Sequence, residues 1–110
     1  MTRKQERIEL NQRIIIHDTI NGGVFGEIVN VTTEGLMIMT EKSIATHAIY
    51  QLSLQLPTSI LGRNSIELGI ELLWCKTEEN FNRHWAGAQI IDASEQAVAQ
   101  LTQLIDHYKK

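Results

Sequence analysis

The alternation of apolar and polar residues over two long segments constrains the fold of this chain more than any other feature. In residues 50–56, apolar side chains alternate with glutamine and serine, and residues 66–74 repeat the pattern with Trp74 as its last apolar position. A period of two residues is typical of a strand with one buried and one exposed face. The pattern therefore predicts two long strands, with Trp74 in the core and the first strand ending at Pro57.

Four shorter segments also have the composition of strands. The β-branched run 14–16 and the apolar stretch 24–31 are separated by Asn21-Gly22-Gly23, which predicts a hairpin. A short strand is expected over 36–39, directly after Gly35, and a last one over 85–91. The sequence thus predicts six strands in all.

After the last predicted strand the apolar period changes to that of a helix. The apolar stripe consists of Val98, Leu101, Leu104, Ile105 and Tyr108. Asp92, with Glu95 three residues later, fits a capping box in which each side chain satisfies a free amide of the first turn. We therefore expect an amphipathic C-terminal helix that begins at Asp92.

The connections between the predicted strands are of hairpin length and contain no helix, so the strands cannot form a parallel sheet. The economical solution is a mainly β fold, a small six-stranded antiparallel β-barrel with a C-terminal α-helix packed on it. A length of 110 residues with 43% apolar and 21% charged residues fits a single globular domain over 1–110.

Charge and composition exclude several classes of function. The formal net charge is −3, so no overall positive field holds the chain on nucleic acid or anionic membrane. Cys75 is the only cysteine, which excludes an intramolecular disulfide and fits a reducing compartment. Because neither a secretory signal nor a membrane span is visible, we expect a cytoplasmic protein without membrane insertion.

The sequence contains no arrangement of residues that indicates catalysis. The four histidines are scattered without metal-ligand spacing, and neither a nucleophile elbow nor a pair of carboxylates occurs. The glycines over 22–26 lie between two strands, whereas a phosphate loop requires a strand followed by a helix. We therefore expect a protein that is not an enzyme and has no metal or cofactor.

Two short motifs indicate a local anion site. Arg3 and Arg7 form an RxxxR motif that also contains Lys4, and Asn30 to Gly35 form an NxTxxG motif between two predicted strands. An arginine guanidinium can bind phosphate in a forked geometry, stack on a purine and pair with the O6 and N7 atoms of guanine. The Asn30 and Thr32 side chains add hydrogen-bonding groups at the turn.

The order and context of these motifs resemble the PilZ domain family, a bacterial receptor module for cyclic di-GMP. In that family RxxxR precedes the first strand and [D/N]xSxxG follows the second, as Arg7 and Asn30 do here. The stretch 87–90 is similar to the family's late strand before the final helix, so the resemblance covers nearly the entire chain. Two departures are Thr32, which keeps the hydroxyl of the commoner serine, and Ile90, where an aromatic residue is frequent.

The resemblance implies a receptor that binds cyclic di-GMP and regulates an unidentified protein partner in bacterial signalling, as in motility and biofilm control. It implies that residues 1–9 are a flexible N-terminal segment that orders over the ligand. The residues carried over as ligand-binding are Arg3, Lys4, Arg7, Asn30, Thr32 and Gly35.

Two alternatives remain open at the level of sequence. One is a PilZ-like adaptor that works through protein contacts without binding the nucleotide, an interpretation for which Thr32 is the best support. The other is a barrel for single-stranded nucleic acid, which needs a basic groove and stacking aromatics. An aromatic content of 5% and the acidic charge disfavour this second alternative, so no nucleic acid polymer is expected as a partner.

Overall fold

The computed structural model describes residues 8–9, 13–42, 44–78, 80 and 82–108. These residues form seven strands and one helix. The elements in chain order are β1 (Ile8–Glu9), β2 (Ile15–Asp18), β3 (Val24–Val31), β4 (Gly35–Thr40), β5 (Ile49–Ile60), β6 (Arg63–Glu78), β7 (Arg83–Asp92) and α1 (Glu95–Tyr108).

Six of the strands close into an antiparallel barrel. The strands β2, β5, β6, β7 and β4 follow one another in the sheet, and β3 joins β4 back to β2. The two-residue strand β1 pairs with the end of β3, with Ile8 opposite Val31 and Glu9 opposite Asn30. The predicted six-stranded barrel with a C-terminal helix is confirmed.

The core fills the barrel with branched aliphatic side chains from the strands and from the helix. Each such side chain contributes roughly 1.5–3 kcal/mol when it is removed from water. The largest fully buried ones are Ile14, Ile16, Val31, Ile38, Leu52, Leu54, Ile66, Leu68, Ile70, Leu72, Leu101 and Leu104.

Strand β5 does not end at Pro57, so that part of the sequence prediction is wrong. The regular pairing of β5 with β6 ends at Gln55 opposite Ser65, and resumes only at Ile60 opposite Arg63. Pro57 lies in this irregular stretch, where its missing N–H removes no regular ladder hydrogen bond. The strand therefore continues to Ile60 despite the proline.

The N-cap residue of the helix lies two residues later than predicted. The Oγ atom of Ser94 accepts a hydrogen bond from the backbone N–H of Ala97 at 3.0 Å, which makes Ser94 the N-cap residue. Asp92 instead ends β7, where its partner is Gly69. The prediction of Asp92 as the cap is wrong because the β6–β7 pairing holds this residue in the sheet.

A buried glutamine joins the helix to the β5–β6 hairpin. Gln100 is 2% exposed, and its Nε2 atom donates to the backbone oxygens of Ile60 at 3.3 Å and Ser65 at 2.9 Å. Ala97 occupies the buried face where the sequence suggested Val98, which is 42% exposed. The helix therefore contacts the barrel through a polar anchor as well as an apolar stripe.

Candidate functional site

The turn between β3 and β4 is built around the side chain of Thr32. Its Oγ1 atom accepts hydrogen bonds from the backbone N–H groups of Glu34 at 3.0 Å and Gly35 at 3.1 Å. The backbone N–H of Thr32 donates to the Gly35 oxygen at 2.9 Å. A hydroxyl that accepts from backbone two and three residues later is a common way to close a turn. Both bonds use the oxygen of Thr32, so its hydroxyl proton is left for another acceptor.

Gly35 is required by the neighbouring strand. A Cβ atom at this position would lie 2.7 Å from the backbone oxygen of Ala88 in β7, closer than packed atoms approach one another. Gly35 pairs with Gln89 at the start of the β4–β7 ladder, so its missing side chain lets these two strands meet at the turn.

Asn30 lies at the point where three strands meet. Its backbone has Glu9 of β1 as partner on one side and Met37 of β4 on the other. The register of β3 with β4 shifts between Ile28 and Asn30, a local irregularity of the kind that redirects a side chain. The half-buried Asn30 amide donates from Nδ2 to the sulfur of Met37 at 3.4 Å, which fixes the side chain beside the turn.

Asn30, Thr32 and Gly35 all line one open pocket of about 270 Å³. This volume is slightly below that of typical ligand pockets, which enclose roughly 300–1,000 Å³. The structure therefore brings these three predicted residues together, whereas Arg3, Lys4 and Arg7 lie outside the residues that it describes. The pocket is lined by Asn30, Thr32, Glu34, Gly35, Leu36, Leu73, Trp74, Gly87, Ala88 and Gln89.

Trp74 and Leu73 belong to the pocket although the sequence did not indicate them. The register of β6 with β7 shifts between Leu72 and Trp74, which interrupts the alternation of buried and exposed side chains. As a result Leu73 is 43% and Trp74 38% exposed, and the prediction that Trp74 lies in the core is wrong. A pattern with a period of two residues carries no signal for such a shift.

The pocket has a weakly acidic lining. Glu34 is the only charged residue among the described residues that line it, and its side chain is exposed. Its backbone oxygen accepts a hydrogen bond from the Ile90 N–H at 2.8 Å, so the residue is fixed to β7. An anionic ligand in this pocket must obtain positive charge from another part of the chain.

A larger groove of about 870 Å³ lies elsewhere on the barrel, and its described lining includes neither Asn30, Thr32 nor Gly35. Its charged lining is mixed, with Lys42 near Glu41 and with Arg13 bound to Glu27 through an Nε–Oε2 contact of 3.0 Å. The mixed charge and the absence of the NxTxxG residues from its described lining make this groove a poorer candidate than the pocket at the β3–β4 turn.

The family model of the PilZ domain matches residues 1–107. Among curated protein sequences, none matches the chain. The helix in the described part of the chain is too short and too polar to cross a membrane.

Three similar solved structures share the fold at low sequence identity. The inhibitor of motility MotI/DgrA from Bacillus subtilis superposes with a TM-score of 0.72 at 11% identity, over 96% of this chain and 51% of that chain. YcgR from Escherichia coli, in complex with c-di-GMP, gives 0.72 at 9% identity, over 96% and 45%. PlzA from Borreliella burgdorferi, also in complex with c-di-GMP, gives 0.62 at 11%, over 94% and 51%. The chain spans about half the length of these proteins.

Proposed function

The chain belongs to the PilZ domain family, and from this membership we propose that it is a cytoplasmic receptor for cyclic di-GMP that has no catalytic activity. The proposal is supported by YcgR and PlzA, two proteins of this fold whose structures contain c-di-GMP. Such a receptor binds its ligand and carries out no reaction. Ligand binding changes its surface, and a protein partner recognises the changed surface.

The observation that carries the proposal is the convergence of Asn30, Thr32 and Gly35 on one pocket beside strand β1. Ile8 of β1 is the backbone partner of Val31, and Arg7 precedes Ile8 directly in the sequence. From this sequence neighbourhood we infer that the RxxxR motif acts at the same end of β3 as Asn30. In this proposal the RxxxR and NxTxxG motifs therefore contribute to the same ligand site.

In this proposal the arginines provide the positive charge that the described lining of the pocket lacks. Cyclic di-GMP carries two phosphates, whereas Glu34 is the only charge on the described lining. Arg3 and Arg7 supply the missing positive charge, and their guanidinium groups form two parallel hydrogen bonds to phosphate or pair with a guanine edge. Lys4 adds a third cation as a point charge without the forked geometry.

The neutral residues of the pocket fix the position of the ligand. The hydroxyl proton of Thr32 is available to an acceptor, because its oxygen is occupied by the Glu34 and Gly35 amides. The Asn30 amide offers both donor and acceptor groups. Such groups set orientation, and charge-assisted bonds to the arginines supply most of the affinity.

Ligand binding fixes the segment 1–9 against the barrel in this proposal. Ordering a segment costs conformational entropy, which the bonds to phosphate and guanine must exceed. Only Ile8 and Glu9 of this segment pair with the sheet in the described structure. The bound form therefore presents a surface near β1 and the β3–β4 turn that the protein partner recognises.

The acidic lining also favours a second candidate function. A pocket whose only described charge is Glu34 suits a PilZ adaptor that binds a protein partner without the nucleotide. In that case the side chains of Asn30 and Thr32 only stabilise the turn, and Arg3 and Arg7 bind no nucleotide. A direct binding measurement separates the two functions.

The test is a calorimetric titration of the protein with cyclic di-GMP, with GTP as the nucleotide control. We expect saturable heat with cyclic di-GMP alone and its loss in the Arg3→Ala, Arg7→Ala double variant. Arg13→Ala is the matched control, because Arg13 lies outside the pocket and is bound to Glu27. Circular dichroism must show that all variants are folded. Absence of heat from the folded wild-type protein would overturn the receptor and leave the adaptor.

A further inference from the structure

We propose that β6 is a dimerisation strand, in which residues 73–78 pair antiparallel with the same residues of a second copy of the chain. We call these residues the open edge. Self-association of this kind does not require the proposed ligand. Strand β6 has 16 residues and extends past the beginning of its neighbour β5, so one part of it lacks a strand on that side.

The two sides of β6 are paired over different lengths. On the side of β7, backbone pairing continues from Gly69 to Glu78. On the side of β5, the pairing ends at Glu71, opposite Ile49. Among the residues that the structure describes, none forms a backbone hydrogen bond with this side of the open edge. The open edge therefore presents N–H and C=O groups with which another strand can pair.

The open edge exists because the chain before β5 turns away from β6. The backbone oxygen of Leu72 accepts a hydrogen bond from the N–H of His47 at 2.6 Å, and the N–H of Leu72 donates to the Ala48 oxygen at 3.0 Å. His47 has a φ of 60°, in the left-handed region that an extended strand does not adopt. The residues that precede His47 consequently leave β6, and the pairing stops at Leu72.

The open edge has few of the features that keep edge strands apart. It contains neither proline nor glycine, and its length is ordinary for a strand. Its exposed side chains include Leu73, Lys76 and Thr77. A lysine on an edge normally discourages pairing with another strand. Here Glu78 lies two positions further along the chain, so an antiparallel neighbour of the same sequence can match Lys76 with a carboxylate.

Charge complementarity selects the register of this pair. In a twofold antiparallel pair, the residue at the symmetry axis lies opposite its own copy. With Lys76 at the axis two ammonium groups would face each other, and with Cys75 at the axis Lys76 would face no carboxylate. With Thr77 at the axis, Lys76 lies opposite Glu78 of the second copy, and the symmetry repeats this ion pair. Opposite charges and threonine pairs across neighbouring strands are both stabilising, so we expect the Thr77 register.

Both charged side chains are suited to an intermolecular ion pair. The Oε2 atom of Glu78 accepts a hydrogen bond from Nε1 of Trp85 at 3.3 Å, which orients the carboxylate and leaves its Oε1 atom for a cation. Lys76 is exposed, and no described residue forms an ion pair with it. A carboxylate that is already held in place loses less conformational entropy on pairing. The open edge thus combines unpaired backbone groups with charges that are complementary to its own copy.

Sedimentation velocity at increasing protein concentration, without nucleotide, tests the dimer. We expect a concentration-dependent equilibrium between monomer and dimer. Lys76→Glu places like charges opposite each other at both symmetric positions and should weaken self-association by about 2- to 30-fold. The double variant Lys76→Glu, Glu78→Lys restores opposite charges and should recover most of the loss. Arg63→Glu makes the same charge change at the other end of β6, so it is the matched control and should have no effect.

Disulfide cross-linking tests the register. Directly opposed residues in an antiparallel pair have Cα atoms about 4.5–5.5 Å apart, which is within the range that a disulfide spans. The variant Thr77→Cys, Cys75→Ala should therefore form a covalent dimer under mild oxidation. In the wild type, the two copies of Cys75 are offset by four residues along the strands, roughly 13 Å, and should remain unlinked.

A folded wild type that is monomeric at every concentration would overturn the dimer, whatever its affinity for cyclic di-GMP. A dimer that Lys76→Glu weakens no more than Arg63→Glu does would exclude the open edge as the interface. Cross-linking through Cys75 in the wild type would contradict the register with Thr77 at the axis. Circular dichroism establishes that each variant is folded, and the charge variants decide the question if the cysteine variant does not fold.

Discussion

The indole ring of Trp74 occupies the space that a Cβ atom on Gly87 would need. The two residues are backbone partners across β6 and β7, so the barrel holds a large aromatic residue directly against a residue without a side chain. The position of Trp74 at the pocket therefore depends on Gly87.

Gly87→Ala should destabilise the fold, because the new methyl group forces the indole or the strand to move. Overpacking of this kind costs roughly 1–3 kcal/mol. Removal of the indole opens the space again, so the loss in free energy of unfolding caused by Gly87→Ala should be much smaller in the Trp74→Ala background. Urea denaturation of the two single variants and the double variant measures this coupling. Equal losses in both backgrounds would show that the indole does not set the cost.

Thr32→Val should loosen the β3–β4 turn. The substitution keeps the shape but removes the oxygen that accepts from the Glu34 and Gly35 amides, at a cost of about 1 kcal/mol in free energy of unfolding. Thr32→Ser keeps the oxygen and is the matched control, with an expected change within about 0.5 kcal/mol. Urea denaturation measures both. A Val variant as stable as the wild type would show that these bonds do not hold the turn.

Glu34→Gln should tighten binding of cyclic di-GMP, since it removes the only charge on the described lining of the pocket. An exposed charge pair contributes about 0.2–1 kcal/mol, which corresponds to a gain of up to about fivefold in affinity. The gain should shrink as salt is added, because salt screens exposed charges. Calorimetry at two salt concentrations measures it, with Glu67→Gln on the exposed face of β6 as the control outside the pocket. A gain that does not depend on salt would contradict the electrostatic explanation.

Gln100→Ala should weaken the attachment of the helix. The substitution leaves the backbone oxygens of Ile60 and Ser65 without their Gln100 donor, and an unsatisfied buried group costs about 1–3 kcal/mol. Gln103→Ala, at an exposed position of the same helix, should change the free energy of unfolding by less than about 0.5 kcal/mol. Similar losses in the two variants would mean that the hydrogen bonds of Gln100 are not the anchor.

The hairpin between β2 and β3 should lose stability in acid through Asp18. Desolvation raises the pKa of this carboxyl, but hydrogen bonds from Asn21 and from the Ile20 amide together outweigh it and hold the pKa below its ordinary value. The carboxylate therefore stabilises the fold above the ordinary pKa of about 3.9, and the contribution is lost as pH falls through the lower folded value. The difference in free energy of unfolding between the wild type and Asp18→Asn should be constant above about pH 5 and shrink in acid. A difference that is constant down to the acid limit would be incompatible with this role.

The alternation of side chains was sufficient to predict the barrel, because a closed antiparallel sheet requires apolar residues at every second position. It did not reveal where the register shifts. The shift between Leu72 and Trp74 adds one residue to β6 relative to β7. The apolar Leu73 interrupts the alternation at this position, but a run of apolar residues also fits a strand that is buried on both faces, so it does not identify a register shift. The alternation consequently predicts Trp74 in the core and does not mark it as a pocket residue.

The part of the candidate site that follows from local sequence was predictable, and the part that depends on tertiary contacts was not. Asn30, Thr32 and Gly35 are neighbours along the chain, so their motif placed them at one turn. The close approach of Gly35 to the Ala88 oxygen is set by the position of β7, which local sequence does not give. The same holds for the helix cap, because the pairing of Asp92 with Gly69 leaves Ser94 as the first residue free to cap.

Strand β7 forms one side of the pocket, and it has hydrogen-bonded neighbours on both sides, β4 and β6. Backbone amides in such a strand exchange with deuterium only when the barrel itself opens, because no free edge can fray. Gly87 and Ala88 should therefore exchange slowly whether or not a ligand is present. The amides of Glu34 and Gly35 are held by a single hydroxyl in an open turn, so their exchange rates are the ones that would report the arrival of a ligand.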